Sequence, residues 1–564
     1  MKTLQSTLAA LALGTLVVLA AACASRAGKS TGDRQTIVGD VATGPTPEPA
    51  GLPQTIPVEP APGPPMVQEE MVVDAQLSRM ASAFAPGYDA LDAEEYAHTG
   101  ENRFVNVSRD PLSTFALEVD GASYANVRRL LNRGRMPAPD AVRVEEFVNY
   151  FSYDYPRPTG RDPLRVNYEV GACPWNPAHR LVSIGVAARE IPSDGLPAAN
   201  FVFLIDVSGS MYGRLPLVVA SMKLLVNNLR PEDRVAIVTY AGSDRLALPP
   251  TPGSDRQKIR EVLDGLASGG STAGAAGLTT AYNVARQNFI EGGNNRIILA
   301  TDGDFNVGQS SDEAMEALIE RERRGGVFLT VLGYGMGNLK DKKMQILAEK
   351  GNGNHAYIDN IQEANRVLVG EFGGTMYAVA KDVKLQVEFN PARVSAFRLV
   401  GYESRLLAHE DFNDDTKDAG EIGAGHTVTA LYEIVPADSG SGAGSIDPLK
   451  YPRPAATPAY TSDIHTRELA TVKIRYKQPD GDVSSRIEMP IVDRAAAPSD
   501  EFRFASAAAM FAQLLRGSDF SGEATYAIVA GEARRGLGND PNGYRRELVR
   551  LAEVAAGLDA STGR

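Results

Sequence analysis

Among its 564 residues the chain has only two cysteines, one tryptophan and six histidines. Cys23 and Cys173 are too few to build a disulfide framework, so stability must come from hydrophobic cores, even in an oxidising compartment. None of the histidines stands in an H-E-x-x-H frame, and there is no G-x-x-x-x-G-K-[ST] loop, which excludes a zincin and a P-loop ATPase. Ser208 is not a hydrolase nucleophile elbow, because Asp206 stands where the first Gly of G-x-S-x-G belongs. The stretch Gly333-Tyr334-Gly335-Met336-Gly337-Asn338 has Asn where a dinucleotide loop needs its third Gly, and is read as a tight strand exit. No solenoid or propeller period is visible. Basic residues are in deficit and unclustered: 57 Lys and Arg against 70 Asp and Glu give a net charge of −13. An acidic surface argues against nucleic-acid binding and suits the attraction of cations.

What is present begins with an export signal. Residues 1–22 carry Lys2 and an apolar run, 8–22, that is too short for a comfortable membrane span and ends in small residues. Leu19-Ala20-Ala21-Ala22-Cys23 resembles a bacterial lipobox, with Leu one place early. That resemblance implies that Cys23 is lipidated and becomes the first residue of the mature chain; the alternative is a plain secretory signal with an incidental cysteine. With Cys23 acylated no intramolecular disulfide can form, and Cys173 is read as a buried small apolar residue. Ala24 and Ser25 follow, with no Asp, which by resemblance to enterobacterial sorting rules favours the outer membrane. Residues 23–95 are rich in proline and poor in large apolar residues, as an extended tether of roughly seventy residues would be. The expectation is a lipid-anchored protein of the bacterial cell envelope, facing the periplasm or the surface.

The remainder divides by pattern. Residues 96–163 form a helical extension with helices over 123–133 and 141–151. In the first, Val127, Leu130 and Leu131 make the apolar side, and Arg128, Arg129 and Arg133 the polar one. Residues 164–198 are a β segment with strands at 164–170 and 181–188. In 199–375, unbroken apolar runs at 201–205, 235–238, 297–300 and 327–332 alternate with helices at 217–229, 255–266, 278–289 and 312–323. That predicts an α/β fold with a doubly wound, mainly parallel sheet. In 376–498 the period drops to two, at 383–389, 427–434 and 471–476, as in antiparallel strands with one wet face. Residues 499–564 return to helix, with Phe504, Ala508, Phe511 and Leu515 on one face and a last helix over 544–556.

Chemistry concentrates where the parallel strands end, which is where open α/β sheets place ligands. Asp206-Val207-Ser208-Gly209-Ser210 follows the first strand, Gly269-Gly270-Ser271-Thr272-Ala273 leads into a helix, and Thr301-Asp302-Gly303 follows a third strand. Alone, the first loop could be an ordinary strand-to-helix turn with Asp and Ser as caps. Hydroxyls and carboxylates converging from three loops are hard ligands suited to Mg²⁺, or to Mn²⁺ or Ca²⁺. Asp411, Asn413 and Asp415 imitate an EF-hand loop, but Thr416 replaces its Gly and Ile422 its bidentate Glu, so a solvated acidic loop is expected there.

The three loops together resemble the metal-ion-dependent adhesion site of von Willebrand factor type A domains. The resemblance implies that Ser208, Ser210 and often Thr272 touch the divalent cation directly, while Asp206 and Asp302 act mainly through waters. It extends to Ser113–Asp120, Ala122–Arg129, Pro137–Arg143, Asn149-Tyr150-Phe151, Cys173-Pro174-Trp175-Asn176 and Phe502-Arg503-Phe504-Ala505, which look like a family of bacterial type A domain lipoproteins. Glu118 and Gly121 depart from that family's pattern. A type A domain keeps its termini together opposite the metal end. It is therefore expected to be inserted in an antiparallel β-sandwich built by the β segments on either side. The implied function is an envelope-tethered module that binds an Asp or Glu of a protein partner through the cation. The alternative is an accessory subunit assisting a separate ATPase or chelatase. No nucleophile or general base is visible beside the metal loops, so no enzymatic activity is expected.

Overall fold

The computed structural model describes Tyr96 and residues 98–562, apart from 118–119, 193–194, 272–273, 304–311, 336–340, 418, 440–466, 480 and 495–496. The expected export signal 1–22, Cys23, the whole of the expected tether and Thr272 therefore lie outside the described residues. No helix of the described residues is long and apolar enough to cross a membrane.

Ahead of the α/β region the chain forms strands β1 (Val105–Asn106) and β2 (Leu112–Ala116), and helices α1 (Ala122–Asn132) and α2 (Val144–Asn149). The antiparallel pair β3 (Leu164–Ala172) and β4 (Arg180–Ala188) follows. The helix expected over 141–151 is shorter because Val142 and Arg143 are extended, and the Arg143 N–H donates to Ser123 Oγ at 2.9 Å instead of continuing a helical ladder.

The α/β region contributes β5 (Ala199–Asp206), β6 (Arg234–Tyr240), β7 (Asp244–Pro252), β8 (Asn294–Thr301), β9 (Val327–Gly333) and β10 (His355–Tyr357). They order as β10-β9-β8-β5-β6-β7, all parallel except β7, which runs antiparallel on the edge. Every residue of β5 and β8 is buried, which is why both read as near-continuous apolar runs. Around the sheet lie α3 (Leu215–Asn227), α4 (Arg256–Asp264), α5 (Gly274–Gln287), α6 (Asp312–Arg324), α7 (Asp341–Lys350), α8 (Ile361–Asn365) and α9 (Phe372–Met376). A π-helical turn, Arg366–Gly370, separates the last two.

Six strands follow or complete the surrounding sandwich: β11 (Ala378–Phe389), β12 (Val394–Val400), β13 (Gly420–Gly423), β14 (Thr427–Pro436), β15 (Glu468–Lys477) and β16 (Ser484–Val492). One sheet has the order β1-β12-β14-β4-β3; the other runs β13-β11-β15-β16, with β2 also beside β11. Val166, Ile184 and Val186 of the first face Leu385, Val387, Val472 and Ile474 of the second in one core. The chain before the type A domain thus joins the chain after it in one sandwich. Direct pairing runs through β4 and β14, from Ala187 opposite Thr427 to Arg180 opposite Ile434, while β11, β15 and β16 build the facing sheet.

Asn294 opens β8, and its side chain donates to Met376 O at 2.7 Å while its N–H donates to Ala198 O at 2.9 Å. The inbound and outbound chains therefore meet at the amino ends of the parallel strands. The opposite end lies about 25 Å away, for eight residues at roughly 3.3 Å each.

Helices α10 (Asp500–Arg516), α11 (Tyr526–Arg535) and α12 (Tyr544–Thr562) join α1 and α2 in a helical layer. Its core takes in Leu181, Val400 and Leu431 from the first sheet and Trp175 from the turn between β3 and β4. Ser499 caps α10, its Oγ accepting from Phe502 N at 3.1 Å.

Arg128 and Arg129 correct the sequence reading, which put them on a wet face: they are only 2% and 5% exposed. Helix α1 is covered on both sides, because Ala122 and Ala125 pack into the α/β core while Tyr124, Val127 and Leu131 face the helical layer. Arg128 bridges the two units, donating to Asp359, to Glu363 at 2.9 Å, to Tyr150 Oη at 2.7 Å and to Glu547 at 3.2 Å. Arg366, 4.0 Å above the Tyr150 ring, holds the other Glu363 oxygen at 2.6 Å and Glu371 at 2.7 Å.

Candidate metal site

The last residue of β5 is Asp206, wholly buried, and its carboxylate organises the loop that follows. Oδ1 accepts from Ser208 N at 2.9 Å; Oδ2 accepts from Tyr240 Oη at 3.1 Å and from Thr301 Oγ1 at 3.4 Å. Tyr240 ends β6 and Thr301 ends β8, so the two strands flanking β5 each donate one hydroxyl to the same oxygen. Burial pushes the Asp206 carboxyl above the usual range and the charge of Asp302 adds to this, while the hydrogen bonds from Ser208 and Tyr240 act in the opposite direction. The Tyr240 phenol is raised well above its ordinary value by burial and then by Asp206, so it remains a donor.

Past Asp206 the chain curls into a 3₁₀ turn, Gly209–Met211, which brings Ser208 Oγ to 3.0 Å from Ser210 Oγ. Ser208 is buried and Ser210 exposed, so the pair opens to solvent on one side. Two backbone bonds clip this loop to the glycine-rich one: Gly209 N to Gly270 O at 3.0 Å, and Gly269 N to Val207 O at 2.7 Å. Gly270 sits at φ +88°, a left-handed conformation that favours glycine. Below it, Gly277 lets α5 lie on Tyr240, whose Cβ would be 2.7 Å from any Cβ added there. Asp302 follows β8, nearly buried, and accepts from Arg214 Nη1, which also donates to Ser210 O at 3.1 Å.

Asp206, Ser208, Ser210 and Asp302 thus lie close together, and the clipped glycine loop leads to Thr272, outside the described residues. Sequence reasoning gave Tyr240 and Arg214 no role, and named Thr301 only as the start of the third loop. Tyr240 and Thr301 had a usable signal, since both end strands adjacent to β5. The donor set fits a hard divalent cation. Adjacent ligands of an octahedral Mg²⁺ with bonds of ~2.1 Å lie about 3 Å apart, and the two serine hydroxyls are separated by 3.0 Å. Among the described residues no group of three or more His, Cys, Asp and Glu could hold a metal; the acidic groups beside the serine hydroxyls are Asp206 and Asp302. The EF-hand-like stretch is engaged otherwise: Asn413 and Asp415 accept from the Arg475 guanidinium at 3.1 and 3.0 Å.

Comparison with known proteins places the chain in a family. The family described as von Willebrand factor type A domain matches residues 200–367, one described as von Willebrand factor matches residues 90–183, and "Uncharacterized protein YfbK, C-terminal" matches residues 374–558. Over 491 residues the chain is 44% identical to the protein YfbK of Escherichia coli, covering 86% of this chain and 84% of that one. The chain belongs to the YfbK family. Outside the YfbK family the likeness shrinks to part of the chain. The magnesium-chelatase 67 kDa subunit of Chlorobaculum parvum is 27% identical over 221 residues, 34% of this chain and 35% of the subunit. A solved von Willebrand factor type A protein from Catenulispora acidiphila, 16% identical, covers 71% of this chain and 88% of its own at a TM-score of 0.36, too low to support an argument. The YfbK family therefore carries a type A domain, a module of protein interaction and adhesion that is generally non-catalytic and often binds a divalent metal.

Proposed function

We propose that the protein is an envelope-tethered binding module that engages an Asp or Glu of a protein partner through a divalent cation such as Mg²⁺, held by Asp206, Ser208, Ser210, Thr272 and Asp302. The observation that supports this reading best is the 3.0 Å approach of Ser208 Oγ to Ser210 Oγ, the spacing of neighbouring octahedral ligands. When bound, the cation supplies an electrophilic position for a carboxylate oxygen of the partner. The chain's own residues prepare that position. Asp206 holds the Ser208 backbone and so fixes the curl of the loop, Tyr240 and Thr301 fix Asp206, and the clip to Gly269 and Gly270 sets the height of the third loop. Cys23 would supply the lipid anchor and residues 23–95 the reach. The partial likeness to a magnesium-chelatase subunit favours a second reading, service to a separate ATPase or chelatase. That role belongs to the cytoplasm, and the export signal opposes it.

Calorimetric titration with Mg²⁺ and Mn²⁺ tests the site. One equivalent should bind to the wild type and none to Asp206→Ala, with the circular dichroism of the two unchanged. Pull-down from envelope fractions should then recover a partner in Mg²⁺ and lose it in EDTA. Equal cation binding by both proteins, or capture indifferent to EDTA, would overturn the reading.

A further inference from the structure

Arg214, the residue immediately before α3, turns its guanidinium back over the metal loops. Nη1 bridges two of them, donating to the Asp302 carboxylate after β8 and to the Ser210 carbonyl after β5. A seat exists for this side chain. Gly335, at φ +132°, lies beneath it, and a Cβ there would stand 2.8 Å from both Cζ and Nε of Arg214. The Gly335 carbonyl is itself held by the Tyr357 hydroxyl, so the backbone under the guanidinium is fixed from below. The Arg214 side chain is 25% exposed and that of Asp302 only 4%, so the ion pair closes one edge of the site while Ser210 stays exposed on the other.

Resting on the reading of this site as a metal centre, we propose that Arg214 is its built-in counter-cation: it occupies the acidic edge formed by Asp302 and holds the affinity for divalent metal down. The charges balance differently with it. Asp206 and Asp302 alone present −2 to a divalent ion, leaving a neutral loaded site; with Arg214 beside Asp302 the whole site presents −1 and the loaded site carries +1. A positive loaded site repels further cations and attracts an anionic group, so weaker metal binding accompanies a stronger preference for carboxylate. Whether the guanidinium stays beside the ion or is displaced by it, its charge or its displacement opposes loading. A unit charge roughly 6 Å from a dication changes affinity about tenfold even at the dielectric constant of water.

The experiment is Mn²⁺ titration, followed by calorimetry and by the electron paramagnetic resonance of free Mn²⁺, on the full chain, on Arg214→Ala and Arg214→Gln, and on each of these combined with Asp206→Ala. Arg214→Ala and Arg214→Gln should bind about tenfold more tightly than wild type, and adding Asp206→Ala to either should abolish that binding. Arg214→Gln keeps a hydrogen-bonding side chain and serves if the alanine variant fails to fold. Binding within twofold of wild type, or weaker, in a folded Arg214 variant would overturn the role of Arg214 and leave the metal site standing. If neither wild type nor any Arg214 variant binds Mn²⁺, the metal reading falls and this inference falls with it.

Discussion

Replacing Arg128 by Met keeps the aliphatic stem but removes the charge on which two buried carboxylates depend. Side-chain exposure is 3% for Arg128, 6% for Asp359 and 1% for Glu363, so neither acid can turn to water. Burial pushes both carboxyl groups up. At Glu363 the guanidinium groups of Arg366 and Arg128 together outweigh burial and hold the group below its usual range, whereas at Asp359 Arg128 does not, and the group stays above it. Breaking a buried pair by removing one partner costs about 3–5 kcal/mol, a large share of a stability on the order of 5–15 kcal/mol. The sign of the pH dependence follows. In the wild type the depressed Glu363 stabilises the fold above its ordinary value of 4.5, and that contribution is lost as pH falls through the native value. In Arg128→Met, Asp359 loses its guanidinium and Glu363 keeps only Arg366, so native-state ionisation now costs energy at neutral pH. Protonation relieves the cost, and the gap between variant and wild type narrows as the solution is acidified. The buried Trp175, the chain's single tryptophan, shares the helical-layer core with Tyr124 and Val127 of α1, so its fluorescence in urea reports the transition. The exposed Arg133→Ala serves as a control, expected within about 0.5 kcal/mol of wild type. A deficit below about 1 kcal/mol near neutral pH, or one unchanged between roughly pH 8 and pH 5, would refute the reasoning.

Glu145 offers the opposite sign: burial, then the charges of Glu403 and Glu146, push its carboxyl from 4.5 to about 7. Both states are neutral below 4.5 and native ionisation carries its full cost above 7, so Glu145→Gln should stabilise by on the order of 1–3 kcal/mol near pH 8 and change little near pH 4.5, read by urea midpoints at the two pH values. Burial raises the Cys173 thiol far above its usual range, and it is only 1% exposed. Iodoacetamide should therefore leave the Cys173 peptide unlabelled by mass spectrometry until urea unfolds the chain; rapid native labelling would contradict this. Cys23→Ala should lose both a palmitate-analogue label and membrane retention while keeping the wild-type circular dichroism, and equal label on the two proteins would rule out the anchor.

Long apolar runs made β5, β6, β8 and β9 readable, because strands covered on both faces carry their burial in the sequence. β7 was not readable: Pro249, Pro250 and Pro252 mask a strand that tolerates them only because it lies on the sheet edge. β12 and α11 were missed as well, being flanked by segments with stronger patterns. Arg128 and Arg129 misled for a different reason. Charge at helical spacing signals a wet face only when one side of the helix is packed, and α1 is packed on two. At the candidate metal site the residue types proposed as ligands stand out in three short loops. The groups that orient them do not, because Tyr240 and Arg214 come close to those loops only through sheet order and the turn before α3.

The inserted domain also has a mechanical consequence. Its two covalent connections leave at the end remote from Ser208 and Ser210, one from β4 and one into β11. β4 is hydrogen-bonded on both flanks, to β14 and β3, and β11 likewise, to β15 on one side and to β2 and β13 on the other. A tug on a partner held at the metal loops would divide between two central strands in two different sheets. Each half would load a strand held by ladders on both sides, where an edge strand has a ladder on one side alone.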